Sequence, residues 1–343
     1  MQGKRQLSRR NQRMDLYKGI AIYGVIAIHV LFPGFFGSGI RALARFAVPF
    51  FFLTAGYFNL GASTRSLLRR AGRTGKQLVL SSLPYLVLGA ILAVRQGTNL
   101  WTWLKPFFTT KTLSEFIQFH TIPFPYAWQL WFLGALLIVY LLWWAISTLA
   151  DAWKKPVPYD ALAILSVVLL LLHLVFGEGF GLMGKEINNQ ILRNAMLDGF
   201  PFFALGSWAA WRRRTIKAMN LPWHWLILGG GALSLLEAKL AGRQELYLGT
   251  LILLAGLMGR CIRYRRVPSG RLSRALQFCG QELTLPIFVL HMLVLALIRE
   301  VPALGWLNNL TWILPIVVAA LSTLAAVGLT WFYANFLKRR TFR

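Results

Sequence analysis

From residue 16 onward the chain alternates between long apolar runs and short polar or turn-rich breaks. Reading each run bounded by charge or turn residues as one membrane crossing predicts ten spans. They cover approximately residues 16–36, 42–61, 77–95, 127–148, 160–177, 196–211, 222–241, 245–262, 282–299 and 306–335. About 20 apolar residues are needed to cross a hydrocarbon core ~30 Å thick. By that measure 160–177 and 196–211 are short, and 306–335 is long enough to tilt. The longest connection, Gln96 to Tyr126, mixes aromatics with sparse charge. It reads as an interfacial segment or as an aromatic belt around span ends. The predicted fold class is an all-α integral membrane protein, a bundle of about ten transmembrane helices with both termini cytoplasmic.

Charge fixes that direction. Only 14% of residues are charged and the mean hydropathy is +0.55, whereas soluble domains carry about a quarter charged residues. There are 37 Lys and Arg against 11 Asp and Glu. In a soluble chain this balance would point to nucleic acid. Here the basic residues sit in clusters between apolar runs, as topology signals do, so no nucleic-acid partner is expected. With the N-terminus inside, every inner connection is basic, while Glu115, Glu178, Glu186, Asp198, Glu237, Glu245 and Glu300 fall outside. The predicted organisation is a basic cytoplasmic tail at 1–15, a transmembrane domain at 16–335 and a basic tail at 336–343, placed in the cell's inner membrane. The first apolar run exceeds a signal-peptide core and is expected to stay as the first span. Cys261 and Cys279 lie beside basic clusters assigned to the cytoplasm, so no disulfide framework is expected. No Walker loop, GxSxG elbow, HxxxH or CxxC occurs, so ATP-driven transport, a serine hydrolase and a metal site have no support.

Chemistry concentrates in RMDLYKGIAIYGVIAIHVLFPGFF, from Arg13 to Phe36. Lys18 precedes His29 by about three helical turns, roughly 16 Å, which returns both to one helix face. Asp15 joins that stripe at its watery end. With Lys18 at the inner boundary, His29 is expected near the bilayer midplane, where ionisable groups are usually functional. The structural alternative is a neutral histidine hydrogen-bonded inside the bundle. Arg45 and Pro49 share the second run; Arg45 either snorkels to outer headgroups or contacts a polar substrate. The basic stretch SLLRRAGRTGKQ, read as a loop, holds Arg69, Arg70, Arg73 and Lys76. It fits phosphate contacts, and equally a topology signal facing anionic lipid. His291, nine residues after Glu282, is a secondary candidate expected to form a polar pairing within the bundle. His120, His173 and His224 are placed towards span ends and interfaces.

These residues resemble the acyltransferase 3 family of polytopic membrane acyltransferases, in its short form without an appended esterase-like domain. A basic residue, ten intervening residues and then histidine is the family's first-helix pattern; Lys18 to His29 fits it, with Asp15 at the acidic position before it. RFAVPFFFLTAGYF is similar to the second helix, with Thr54-Ala55-Gly56-Tyr57 where Ser-Gly-Tyr or Ser-Gly-Phe is usual. WFLGALLIVYLL, GFPFFALGSW and LTLPIFVLHMLV resemble later helices in the expected order. The family's Arg-x-x-Arg aligns with Arg70 and Arg73, or in a rival register with Arg73 and Lys76.

The resemblance implies an O-acyltransferase that moves an acyl group, usually acetyl, from cytoplasmic acyl-CoA to an extracytoplasmic glycan, polysaccharide or lipid-linked sugar. Acyl-CoA is a co-substrate, and no permanently bound cofactor is implied. His29 is implied as base or transient acyl carrier, with Asp15 and Lys18 organising the entry. Arg69, Arg70, Arg73 and Lys76 would hold CoA phosphates, and Arg45 the acceptor or developing oxyanion. The competing readings are a proton-coupled transporter or flippase using a midplane histidine, and a non-catalytic membrane scaffold.

Overall fold

A computed structural model describes residues 11–185, 187–268 and 270–337. Most of the expected N-terminal tail, Glu186 and residues 338–343 of the C-terminal tail lie outside the described residues. Within them every regular element is helical. The principal helices are α1 (Gln12–His29), α2 (Gly34–Ala44), α3 (Ala47–Tyr57), α4 (Thr64–Arg95), α5 (Trp131–Ala152) and α6 (Tyr159–Leu174). They continue as α7 (Phe200–Trp211), α8 (Trp223–Leu240), α9 (Leu248–Arg263), α10 (Thr284–Glu300) and α11 (Leu314–Phe332). Six described segments are long and apolar enough to cross a membrane: Gly34–Tyr57, Thr64–Arg95, Trp128–Ala152, Tyr159–Leu182, Arg271–Glu300 and Leu314–Asn335. The other four expected spans are helices of 18 residues (α1, α8), 16 (α9) and 12 (α7). In α1, Arg13, Asp15 and Lys18 dilute the apolar run.

Three irregular turns follow from proline chemistry. Proline has no N–H and leaves the carbonyl four residues earlier without its helical partner. Pro49 does this to Arg45, where the Gly34–Tyr57 segment breaks, and the Arg45 N–H reaches only to Ala42 O at 3.2 Å. Pro201 does it to Leu197, inside a π-helical turn at Ala195–Gly199, and His173 Nδ1–H donates to the freed Leu197 carbonyl at 3.3 Å. Pro286 does it to Glu282, inside a second π-helical turn at Cys279–Leu283. There the Thr284 hydroxyl lies 3.2 Å and 3.0 Å from the carbonyls of Cys279 and Gly280.

Two sequence-based boundaries shift. The first helix ends at His29 rather than running to residue 36. Val30 and Pro33 are extended, and the chain turns at Gly34 (φ +63) into α2. A residue before proline is biased away from helix, which accounts for the stop. The basic stretch after residue 64 is helical, not a loop: α4 starts at Thr64, where Ser63 caps it through a bond from Ser66 N–H. Its first turns are amphipathic, with Leu67, Ala71, Thr74 and Leu78 buried at helical spacing.

The chain divides into two compact units. One comprises Met1–Phe51, Gly181–Gly184 and Arg212–Arg343; the other comprises Phe52–Phe180 and Lys185–Trp211. In the first, α8 and α9 approach closely: a side chain at Gly230 would stand 2.6 Å from Gly249 O. Small residues allow such contact between apolar helices. In the second, α4 packs on α5 and α6 on α7. The short helices Leu100–Leu104 and Thr110–Phe119, joined through a 3-10 turn at Lys105–Phe108, occupy the 96–126 connection and expose Trp101, Phe108, Leu113 and Ile117.

Candidate active site

The first unit builds the candidate site around α1. Its start is pinned to the end of α9: Asn11 Nδ2 donates to Cys261 O at 2.9 Å, Arg13 Nε to Tyr264 O at 2.6 Å and Arg13 NH2 to Arg266 O at 2.8 Å. Asp15 is buried in the first turn, at the positive end of the helix dipole. Lys18, one turn on, is half-buried and attracted by the Asp15 carboxylate. Two glycines then bring backbones into contact. A side chain at Gly19 would lie 2.0 Å from Leu276 O, and one at Gly280 would lie 1.8 Å from Asp15 O. Further along, the Tyr23 hydroxyl sits 3.1 Å from Thr323 Oγ1 and 3.5 Å from Cys279 Sγ. The π-helical turn at Cys279–Leu283 is therefore packed against the acidic end of α1. An open cavity of about 600 Å³ borders that turn, lined by Arg274, Gln277, Phe278, Gln281, Glu282 and Thr330.

At the far end of α1 two histidines meet. His29, the last helical residue, is partly accessible, and its ring centroid lies 5.4 Å from that of His291 on α10, the planes tilted by 36°. His291 is 0% exposed. Its Nδ1 lies 3.2 Å from Ile287 O, and because a carbonyl can only accept, Nδ1 carries the proton. Nε2 is then a bare acceptor, buried without a hydrogen-bond partner. A buried unsatisfied acceptor beside an accessible imidazole is an unusual expense for a purely structural pair. The sequence predicts a polar pairing for His291 within the bundle; its hydrogen bond is to the Ile287 carbonyl, and its contact with His29 is between rings.

Arg45 lies at the break between α2 and α3. Gly24 of α1 packs on Ala44 and Ala47, which flank the break, so the break lies beside the helix that ends at His29. NH1 of Arg45 donates to Glu245 Oε2 at 2.8 Å, with side chains 6% and 8% exposed. The reading of Arg45 as a residue snorkelling to headgroups is replaced by a buried ion pair. Glu245 was legible only as an outside acid, since 200 residues separate the partners.

Arg69, Arg70, Arg73 and Lys76 belong to the second unit. Arg65, Arg69, Arg73 and Lys76 form one exposed stripe along the first turns of α4, and Arg70 is half-buried beside it. His120 also lies in this unit, at the end of the Thr110–Phe119 helix. Its Nε2 accepts the Ala195 N–H at 2.9 Å and its Nδ1–H points to Phe116 O at 3.1 Å. That pattern requires the neutral ring, and burial lowers its pKa below the ordinary histidine value. His120 is a structural tie. Among the described residues no three His, Cys, Asp or Glu side chains gather as metal ligands.

A family model described as an acyltransferase domain matches residues 11–334. The chain belongs to the acyltransferase 3 family. No curated protein and no solved structure matches it. Family membership and the apolar helices make it a multi-pass membrane protein with acyltransferase activity. Two of the stretches that resemble the acyltransferase 3 family also pack on each other. A side chain at Gly56 would stand 1.8 Å from Phe203 O and one at Gly206 2.0 Å from Leu53 O, while Ser207 Oγ donates to Gly56 O at 3.0 Å.

Proposed function

We propose that the chain transfers an acyl group, acetyl in the first instance, from cytoplasmic acyl-CoA to a hydroxyl of an extracytoplasmic glycan, polysaccharide or lipid-linked sugar. The observation that carries this reading is the pair of rings, a partly accessible His29 whose centroid lies 5.4 Å from that of a buried His291, in a chain of an acyltransferase family. Ten spans, cytoplasmic termini and a place in the inner membrane are part of the same proposal.

In this mechanism acyl-CoA enters at the Asp15 and Lys18 end of α1. Separately, within the second unit, the cationic stripe Arg69, Arg73 and Lys76, with Arg70, attracts phosphates of acyl-CoA from solution by long-range charge. The acceptor hydroxyl approaches from the His29 end. His29 takes the hydroxyl proton as general base while the oxygen attacks the thioester carbonyl. The tetrahedral intermediate collapses, the carbon–sulfur bond breaks, and the proton on His29 passes to the departing CoA thiolate. His291 acts as a positioning residue that holds the His29 ring and its charge. If His29 instead carries the acyl group, an acyl-imidazole forms with release of CoA before the acceptor binds.

Purified protein, labelled acetyl-CoA and a glycan acceptor test this. His29→Gln should lower transfer at least about 100-fold, the usual share of a general base, with membrane insertion and melting unchanged. Transfer retained in that variant would refute the mechanism. Label on the protein without acceptor would favour the acyl-carrier form.

A further inference from the structure

Around Arg45 the first unit gathers more positive charge than its ion pair needs. Arg41, one turn earlier on the same segment, is within electrostatic range of Arg45, Arg243, Glu245 and Tyr247. Arg41 thus has two other guanidinium groups and one carboxylate around it. Their exposure is graded: Arg243 is exposed, Arg41 half-buried and Arg45 buried. Arg45 uses NH1 on Glu245, while its NH2 is buried with no hydrogen-bond partner. A buried guanidinium N–H is a strong donor that is costly to leave unmade, and gathered like charges repel unless a counter-charge enters.

The segment carrying Arg243 and Glu245 has a fixed shape. The Tyr247 hydroxyl donates to Gly242 O at 2.8 Å and accepts the Gln244 N–H at 3.1 Å, and Gln244 Nε2 donates to Ala241 O at 2.8 Å. Gly242 supplies the positive φ (+71) that the turn requires. Glu237 Oε2 accepts the Gly249 N–H at 2.9 Å and steadies the start of α9. A rigid loop thus holds one cation outward and one acid inward against Arg45, and the break at Arg45 lies beside the helix that ends at His29.

We infer that Arg41, Arg45 and Arg243 form a site for an oxyanion, a carboxylate or a phosphate, carried by the saccharide acceptor. The placement on the acceptor rests on the acyltransferase reading above; the anion site itself does not. Arg243 draws the anion in, and the free edge of Arg45 fixes it in geometry.

The test uses the full chain in neutral-lipid nanodiscs at constant ionic strength, with glucuronate, glucose 1-phosphate and glucose as probes. The two anionic sugars should raise the melting temperature in a saturable way, and glucose should not. Arg243→Gln, which removes an exposed group and leaves the Arg45–Glu245 pair intact, should weaken the anionic sugars about tenfold, the scale of one charge-assisted hydrogen bond. His29→Gln should bind them as the wild type does. In the wild-type chain, saturable binding of the anionic sugars without any acyl transfer would support the site and sink the acceptor reading. Equal binding of glucose, or an unchanged affinity in Arg243→Gln, would overturn the proposal. So would stabilisation by nanodiscs containing phosphatidylglycerol with no response to either sugar anion, since the cluster would then be a lipid headgroup site.

Discussion

Arg45 and the stripe Arg65, Arg69, Arg73 and Lys76 carry similar charges in opposite settings. Arg45 is buried, pinned to Glu245 at 2.8 Å and held where Pro49 interrupts the helix. The α4 stripe stands on an exposed helix face above a buried row of Leu67, Ala71, Thr74 and Leu78. A buried guanidinium contributes direction and selectivity, because removing its partner strands a charge. An exposed stripe contributes long-range attraction that salt screens over about 8–10 Å. The same residue type therefore serves geometry in one place and capture in the other.

The largest effect should come from breaking the buried member. Arg45→Met leaves Glu245 buried without its cation, and stability should fall by about 3–5 kcal/mol, read by melting of the detergent-solubilised protein. Arg45→Met with Glu245→Leu should recover most of that loss. A single variant as stable as the wild type would mean that Glu245 has another sufficient partner.

An intermediate case is His120, buried but neutral. Its lowered pKa means that the folded state prefers the unprotonated ring. The stability it adds is present above the unfolded value of about 6.5 and is lost as pH falls through the lower folded value. Melting should therefore drop between about pH 7 and pH 5 by up to about 1 kcal/mol, the scale of one hydrogen bond. In His120→Gln that pH-dependent component should vanish; an unchanged profile would show that other groups cause it.

The smallest effect on stability belongs to the exposed stripe. Arg69→Gln with Arg73→Gln should change stability by less than about 0.5 kcal/mol. It should nevertheless raise KM for acyl-CoA several-fold, more at low salt than at high. An unaltered KM would leave the stripe a topology signal alone.

Much of the helical layout was legible because apolar runs and turn residues leave a strong periodic trace. The Lys18 to His29 step was legible too, since both residues lie on one helix. The stop at His29 was obscured by Val30, Leu31 and Phe32, which prolong the apolar run although Pro33 forbids a regular helix. The start of α4 was hidden under its arginines, although Leu67, Ala71, Thr74 and Leu78 already carried a helical period. Pro201 and Pro286 mark two of the irregular turns, although Pro84 lies within the uninterrupted helix α4. His29 with His291 and Arg45 with Glu245 were not legible, because pairs 200 or more residues apart leave no local pattern.

Gly280 against the Asp15 carbonyl and Gly19 against Leu276 act as a ratchet stop on the first helix. Sliding α1 along its axis would drive backbone into backbone, so the spacing between the Asp15 end and the ring pair is a fixed ruler. Beyond the other end of α1, Val30 and Pro33 are extended, and the Phe32 carbonyl lies over Gly37, where a side chain would stand 1.7 Å from it. The chain leaving the ring pair is therefore held by the same device as the Asp15 end, a carbonyl seated on a glycine.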